Sequence, residues 1–173
     1  MILFNKPNKE LAIPKSPYLN EPTRLPEVLS AIQVMGTYKF YKLDFAGWAD
    51  RISGDAKQAD HWKRVFEEHP EFFRLDAGRG KASLVWRRTY QKLYDVDKAE
   101  KITRERFHQL TVEEKTRISR NPLTNADIST LISAAIQLHS RALEHQQDKR
   151  WWISGVVGLL GVIVGAVIQA LAP

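Results

Sequence analysis

The stretch FFRLDAGRGKASLVWRR, residues 72–88, decides how the chain reads. Ala82, Leu84 and Trp86 alternate with Ser83, Val85 and Arg87, the period of a half-buried strand. Phe73 and Leu75 repeat that spacing on the other side of AGRGK. Gly78 and Gly80 are expected to supply the positive φ of a hairpin loop. The segment is expected to be a β-hairpin with a basic tip.

Before the hairpin the period is helical. Thr23 and Pro26 suit a helix start, and Leu25, Val28, Leu29, Ile32 and Met35 form one apolar stripe that Gly36 is expected to stop. KFYKL (39–43) predicts a brief strand. Asp44 can cap a second helix whose Phe45, Trp48, Ala49 and Ile52 share a face, and SGD (53–55) turns the chain. AKQADHWKRVFEEH predicts a third helix through Ala59, Trp62, Val65 and Phe66, closed by Pro70.

Helix, short strand, helix, turn, helix, hairpin from Pro26 to Arg88 resembles the winged helix-turn-helix superfamily. VLSAIQVMG, DFAGWADRIS and AKQADHWKRVFEEH correspond to the three helices, and residues 72–88 to the wing. The resemblance implies that Lys57, Gln58, His61 and Arg64 stand where a recognition helix reaches base edges. It places Arg79, Lys81, Arg87 and Arg88 against phosphates. Between Phe72 and Lys92, six Lys/Arg stand against one acid, Asp76. Glu67, Glu68 and Glu71 depart from that pattern, because acid beside a phosphate backbone is unfavourable.

Beyond Tyr94 the signal is helical again. Asp97 with Glu100, and Thr111 with Glu114, have the spacing of capping boxes. Glu100–Arg104 and Glu113–Arg117 are i,i+4 pairs. NPLT (121–124) breaks the chain, and a helix is expected to run on from Ala126. Its Ile128, Leu131, Ala135, Leu138 and Ala142 either pack on the domain or continue as a coiled-coil stalk.

The chain ends in WWISGVVGLLGVIVGAVIQALAP, with no charge from Ile153 to Ala172. As a helix this run would span ~30 Å, the hydrocarbon thickness of a bilayer. Lys149, Arg150, Trp151 and Trp152 stand where interfacial anchors belong, and the positive-inside bias puts the N-terminal part in the cytoplasm. On a helical wheel Ser154, Gly158, Gly161 and Gly165 fall within ~60°, and Gln169 lies on the same side, roughly 40° from Gly165. Small residues on one face let membrane helices approach, so homo-oligomer formation is expected.

The 173 residues, net charge +6 and absence of cysteine fit one globular domain with an appendage and exclude disulfides and thiolate metal sites. The five histidines have no metal-site spacing, and no nucleotide or hydrolase motif occurs. No cofactor, metal or catalytic activity is expected. Trp48, Trp62 and Trp86 read as core.

The expected class is α+β and mostly helical. An extended Pro-containing arm (1–22) precedes a winged-helix-like domain (23–94), a helical connector (95–122), a juxtamembrane helix (124–150) and one transmembrane helix (151–172). The function expected is a tail-anchored, single-pass membrane protein with a cytoplasmic, non-catalytic binding or assembly module. The bilayer, further copies of the chain and a protein or nucleic acid are its expected partners. A membrane-tethered nucleic-acid-binding regulator and a small effector that assembles to perturb the bilayer are the alternatives.

Overall fold

The computed structural model of the chain describes residues 16–147, which form an α+β arrangement with two small antiparallel sheets. Residues 1–15 of the expected arm, the end of the juxtamembrane helix and the expected span at 151–172 lie outside the described residues, as do its packing and interface residues. Among the described residues no helix is long and apolar enough to cross a membrane. The end of the arm is not simply extended: Pro17–Leu19 is a 3-10 turn that buries Tyr18.

Helix α1 spans Arg24–Thr37 and buries Val28, Ala31, Ile32 and Met35. Gly36 does not stop it. The helix runs one residue further, and a Cβ at Gly36 would meet Ile128 Cγ1 at 3.1 Å. That glycine marks a close helix crossing, and the chain leaves the helix where Tyr38 turns extended.

Strand β1 (Lys42–Asp44) leads into α2 (Phe45–Ser53), capped as expected by Asp44, whose carboxylate accepts from the Gly47 amide at 2.7 Å. Gly54 ends α2 with φ 73°, a left-handed conformation that only glycine adopts cheaply. The third helix begins later than its sequence suggests. Ala56–Gln58 is a 3-10 turn, and α3 spans Ala59–Glu68, burying Trp62, Val65 and Phe66.

The hairpin forms from β2 (Phe73–Leu75) and β3 (Lys81–Leu84), and the sheet order is β1-β3-β2. Its core face carries Leu43, Leu75 and Ala82, which pair across the three strands. The Trp48 indole donates to the Ala82 carbonyl at 2.9 Å, tying α2 to that face. The left-handed residue of the loop is Arg79 (φ 52°), not Gly78 or Gly80. The Asp76 carboxylate gathers the Gly80 and Lys81 amides at 3.0 and 3.1 Å, which fixes the reversal between them.

The strand alternation stops at Leu84. Trp86–Thr89 is a 3-10 turn that leaves Trp86 at the surface and turns Arg87 inward, with 0% exposure. Trp86 is therefore not core. Residues 95–102 are not helical either. Strands β4 (Tyr94–Asp95) and β5 (Glu100–Lys101) pair instead, and β6 (Ile118–Ser119) completes a sheet of order β5-β4-β6. Asp95 accepts from the Asp97 and Lys98 amides, and Ala99 is left-handed at φ 56°. This local turn chemistry displaces the cap expected at Asp97.

Helix α4 (Arg104–Gln109) starts at Thr103, and α5 (Val112–Thr116) carries the expected Thr111–Glu114 capping box. Arg117 pairs with Asp97 and not with Glu113.

The last described helix, α6, runs through residues 125–147. Thr124 and Asp127 cap its start reciprocally, each side chain accepting from the other's amide. Ile128, Leu131, Ala135 and Ala142 join the core, so this stripe packs on the domain. Leu138 faces solvent.

Candidate functional site

The eight cations and polar residues singled out around α3 and the hairpin separate into three groups. Lys57, Gln58 and Arg64 are exposed, the first two on the turn that opens α3. Arg79 and Lys81 are exposed at the hairpin tip, and Arg88 is exposed beyond its end. All six face solvent, although Arg79 is paired with Glu67 at 2.6 Å.

His61 and Arg87 do not. His61 is half-buried, and its Nε2 lies 3.2 Å from Glu27 Oε1, so it faces α1. Arg87 is fully buried and serves the fold. Its Nη1 donates to the Met35 and Tyr38 carbonyls at 2.9 and 2.6 Å, its Nε to Asn121 at 3.1 Å and its Nη2 to Arg120 at 2.6 Å. The Phe40 carbonyl lies at 3.5 Å. A cation sits here at the negative end of α1, where the last carbonyls lack helical partners. Burial lowers its pKa to about 10, which leaves it charged at neutral pH.

The acids that crowd the end of α3 are taken up internally. Glu67 accepts from Arg79 at 2.6 Å, Glu68 lies 3.0 Å from Arg24, and Glu71 lies 3.0 Å from His69 Nδ1. The Glu67–Arg79 contact also ties the hairpin tip to α3. Arg24 and His69 are themselves buried. Burial alone would raise the Glu71 carboxyl. The hydrogen bond from His69, with those from its own amide and Tyr18, outweighs this and holds it below its ordinary value. Burial first, then the Glu71 charge and hydrogen bond, push the Tyr18 phenol up. The Tyr18 ring lies 4.5 Å from His69 and 5.9 Å from His139, so the arm, the end of α3 and α6 meet here.

A cleft of about 660 Å³ opens beside the hairpin, between β1, the end of α3 and the turn after β3. Lys42, Arg74, Arg79, Arg88 and Arg120 line it, against the acids Glu67 and Asp76. The Lys81 amide most of all, then that of Gly80 and the charges of Lys42 and Lys81, hold the Asp76 carboxyl below its ordinary range. Arg120 is held in place: its Nη1 donates to the Arg88 and Tyr90 carbonyls, and its guanidinium lies 5.0 Å from the Tyr41 ring. Ser119 Oγ accepts from the Tyr41 amide and joins the second sheet to this edge.

Lys42, Arg74 and Arg120 escaped the reading of the sequence. Lys42 and Arg74 sit at the outward parity of their strands, a signal that register alone turns into a shared face. Arg120 lies in a connection and carries no periodic signal. Among the described residues, no group of three or more His, Asp or Glu is placed to hold a metal ion. Family models, curated proteins and solved structures were compared with the chain, and none of them matches it.

Proposed function

We propose that this chain is a membrane-held binding module. A winged-helix-like domain presents α3 and the hairpin to a partner, and the apolar C-terminal run holds it at a bilayer as a homo-oligomer. The order α1-β1-α2-α3-β2-β3 with sheet order β1-β3-β2 supports the winged-helix part of this reading. The observation that carries the tether is α6. It packs on the domain through Ile128, Leu131, Ala135 and Ala142 and runs to residue 147, a few residues before the uncharged stretch.

The test is fractionation of the tagged full-length chain. Sedimentation with membranes, resistant to alkaline carbonate and lost on truncation after Arg150, is the expected result. Full-length chain left in the supernatant would sink the proposal. Gly161→Leu with Gly165→Leu is expected to dissociate the oligomer in mild detergent, and an unchanged assembly would remove the glycine face from it.

A second reading, a nucleic-acid-binding regulator, is favoured by the exposure of Lys57, Gln58 and Arg64 on α3 and the turn that opens it. Internal pairing of Glu67, Glu68 and Glu71 removes much of the acid that opposed it. Salt-dependent binding of DNA or RNA that weakens in Arg79→Glu/Lys81→Glu is expected on this reading.

A further inference from the structure

The outer face of the first sheet carries a file of cations. Register sets Lys42, Ser83 and Arg74 side by side across β1, β3 and β2. Two residues toward the hairpin tip, Lys81 shares that face by strand parity. Beyond the other end of β3, Arg88 and Arg120 complete the cleft. Ser83 is fully buried between its neighbours, and its hydroxyl donates to the Arg74 carbonyl. It contributes no competing polar group, and its small size leaves room for the long cations on either side.

Acid offsets the hairpin end of this file, where Asp44 stands opposite Lys81 in the β1–β3 register and Asp76 pairs with Lys42. Asp76 lies 3.8 Å from Lys42, and its other oxygen is engaged by the Gly80 and Lys81 amides. Glu67 is engaged by Arg79. Among the described residues Arg74, Arg88 and Arg120 have no carboxylate at ion-pair distance.

Geometry selects the ligand. Two residues along a strand advance about 7 Å, so Lys81 stands one step along the strand from the level of Lys42 and Arg74, and Arg88 and Arg120 lie beyond the opposite end of β3. A converging cluster suits a single phosphate or carboxylate, whereas a file suits a polyanion that repeats its charge. Three of the cations are arginines, whose forked donors match phosphate oxygens. Arg120 is already immobilised, which lowers the ordering cost of a contact there.

We infer that this outer sheet face is a track for the phosphate backbone of a nucleic-acid strand. Arg74 and Arg88 are its principal contacts, Lys42 and Lys81 flank them, and Arg120 forms its floor. The inference rests on the nucleic-acid reading above and adds a surface beyond α3 and the hairpin tip. Phosphate contacts of this kind position a nucleic acid without reading its sequence.

The test uses the full chain in nanodiscs of neutral lipid, with fluorescent oligothymidylate and a short duplex as probes and anisotropy as the readout. Arg74→Ala/Arg88→Ala is expected to weaken binding at least about tenfold and equally for unrelated sequences. The slope of log K against log salt should become shallower by about 2, near 0.9 for each lost phosphate contact. If that variant melts early, Lys81→Ala carries the test with a slope change near 1. An unchanged slope in both variants, with binding lost in Lys57→Ala/Arg64→Ala, would overturn the track and leave the nucleic-acid reading standing. A wild-type chain that binds neither probe at low salt would overturn both. Competition by polyglutamate as effective as that by the oligonucleotide would overturn the assignment to phosphate.

Discussion

Replacing Arg87 by methionine keeps most of the side-chain volume and removes the guanidinium. Four carbonyls within 3.1 Å, those of Met35, Tyr38, Arg120 and Asn121, then lose a charged donor. Hydrogen bonds to charged groups contribute roughly 1.5–3 kcal/mol each, so the gross loss is roughly 6–12 kcal/mol. Removing a buried cation recovers several kcal/mol of desolvation, and the partly exposed carbonyls regain water. A net destabilisation of about 4 kcal/mol is left, or a fall of roughly 10–15 °C in Tm. Arg87→Lys keeps the charge but offers one compact donor and should cost about half as much. Guanidinium unfolding followed through the fluorescence of buried Trp48 and Trp62 measures both. A methionine variant within about 1 kcal/mol of wild type would refute the assignment of this residue to the fold.

Other perturbations probe other joints. Gly36→Leu drives a side chain against Ile128 and should cost about 3 kcal/mol by overpacking. Gly54→Ala meets no atom within 4 Å and should cost only about 1 kcal/mol, from its left-handed backbone. Both are read as shifts in unfolding midpoint at constant slope. Thr124→Ala removes the cap of α6 and should cost about 1 kcal/mol, seen as earlier loss of helical circular dichroism on heating. The Glu71 carboxyl is held below its ordinary 4.5. The stability it contributes is present above that value and lost as pH falls through the lower folded one. Acid unfolding below about pH 4.5 should therefore flatten in Glu71→Gln, and an unaltered acid limb would show that Glu71 does not couple to folding.

Most elements up to residue 84 were legible because they announced themselves locally, although the strand expected at 39–43 forms at Lys42–Asp44 and α3 opens with a 3-10 turn. Asp44 caps α2, Gly54 ends it, and the apolar stripes of α1 and α3 are the ones buried. Legibility failed where a distant partner decided the conformation. Arg87 looked like one more surface cation of a basic strand, and its fate depends on carbonyls some fifty residues earlier and thirty later. Gly36 looked like a terminator because the helix it approaches lies far along the chain. Residues 95–102 carried a helix-start pattern, yet short-range bonds from Asp95 and pairing with Tyr94 won. For the candidate site, the exposed Lys57, Gln58, Arg64, Arg79, Lys81 and Arg88 were found from type and position. Lys42 and Arg74 needed the register, and Arg120 needed the whole fold.

Helix α6 touches the domain along most of its length, from Ile128 near its start to Ala142 near the last described residues, with His139 against Tyr18 between them. It is a handle more than a hinge. A load applied at residue 147 reaches the domain through side-chain packing spread over about four helical turns, so the domain and the helix axis turn together. Anything fastened to that end fixes the bearing of the hairpin and α3 as well as their distance. Loosening Tyr18 or His139 would be the way to give the domain slack.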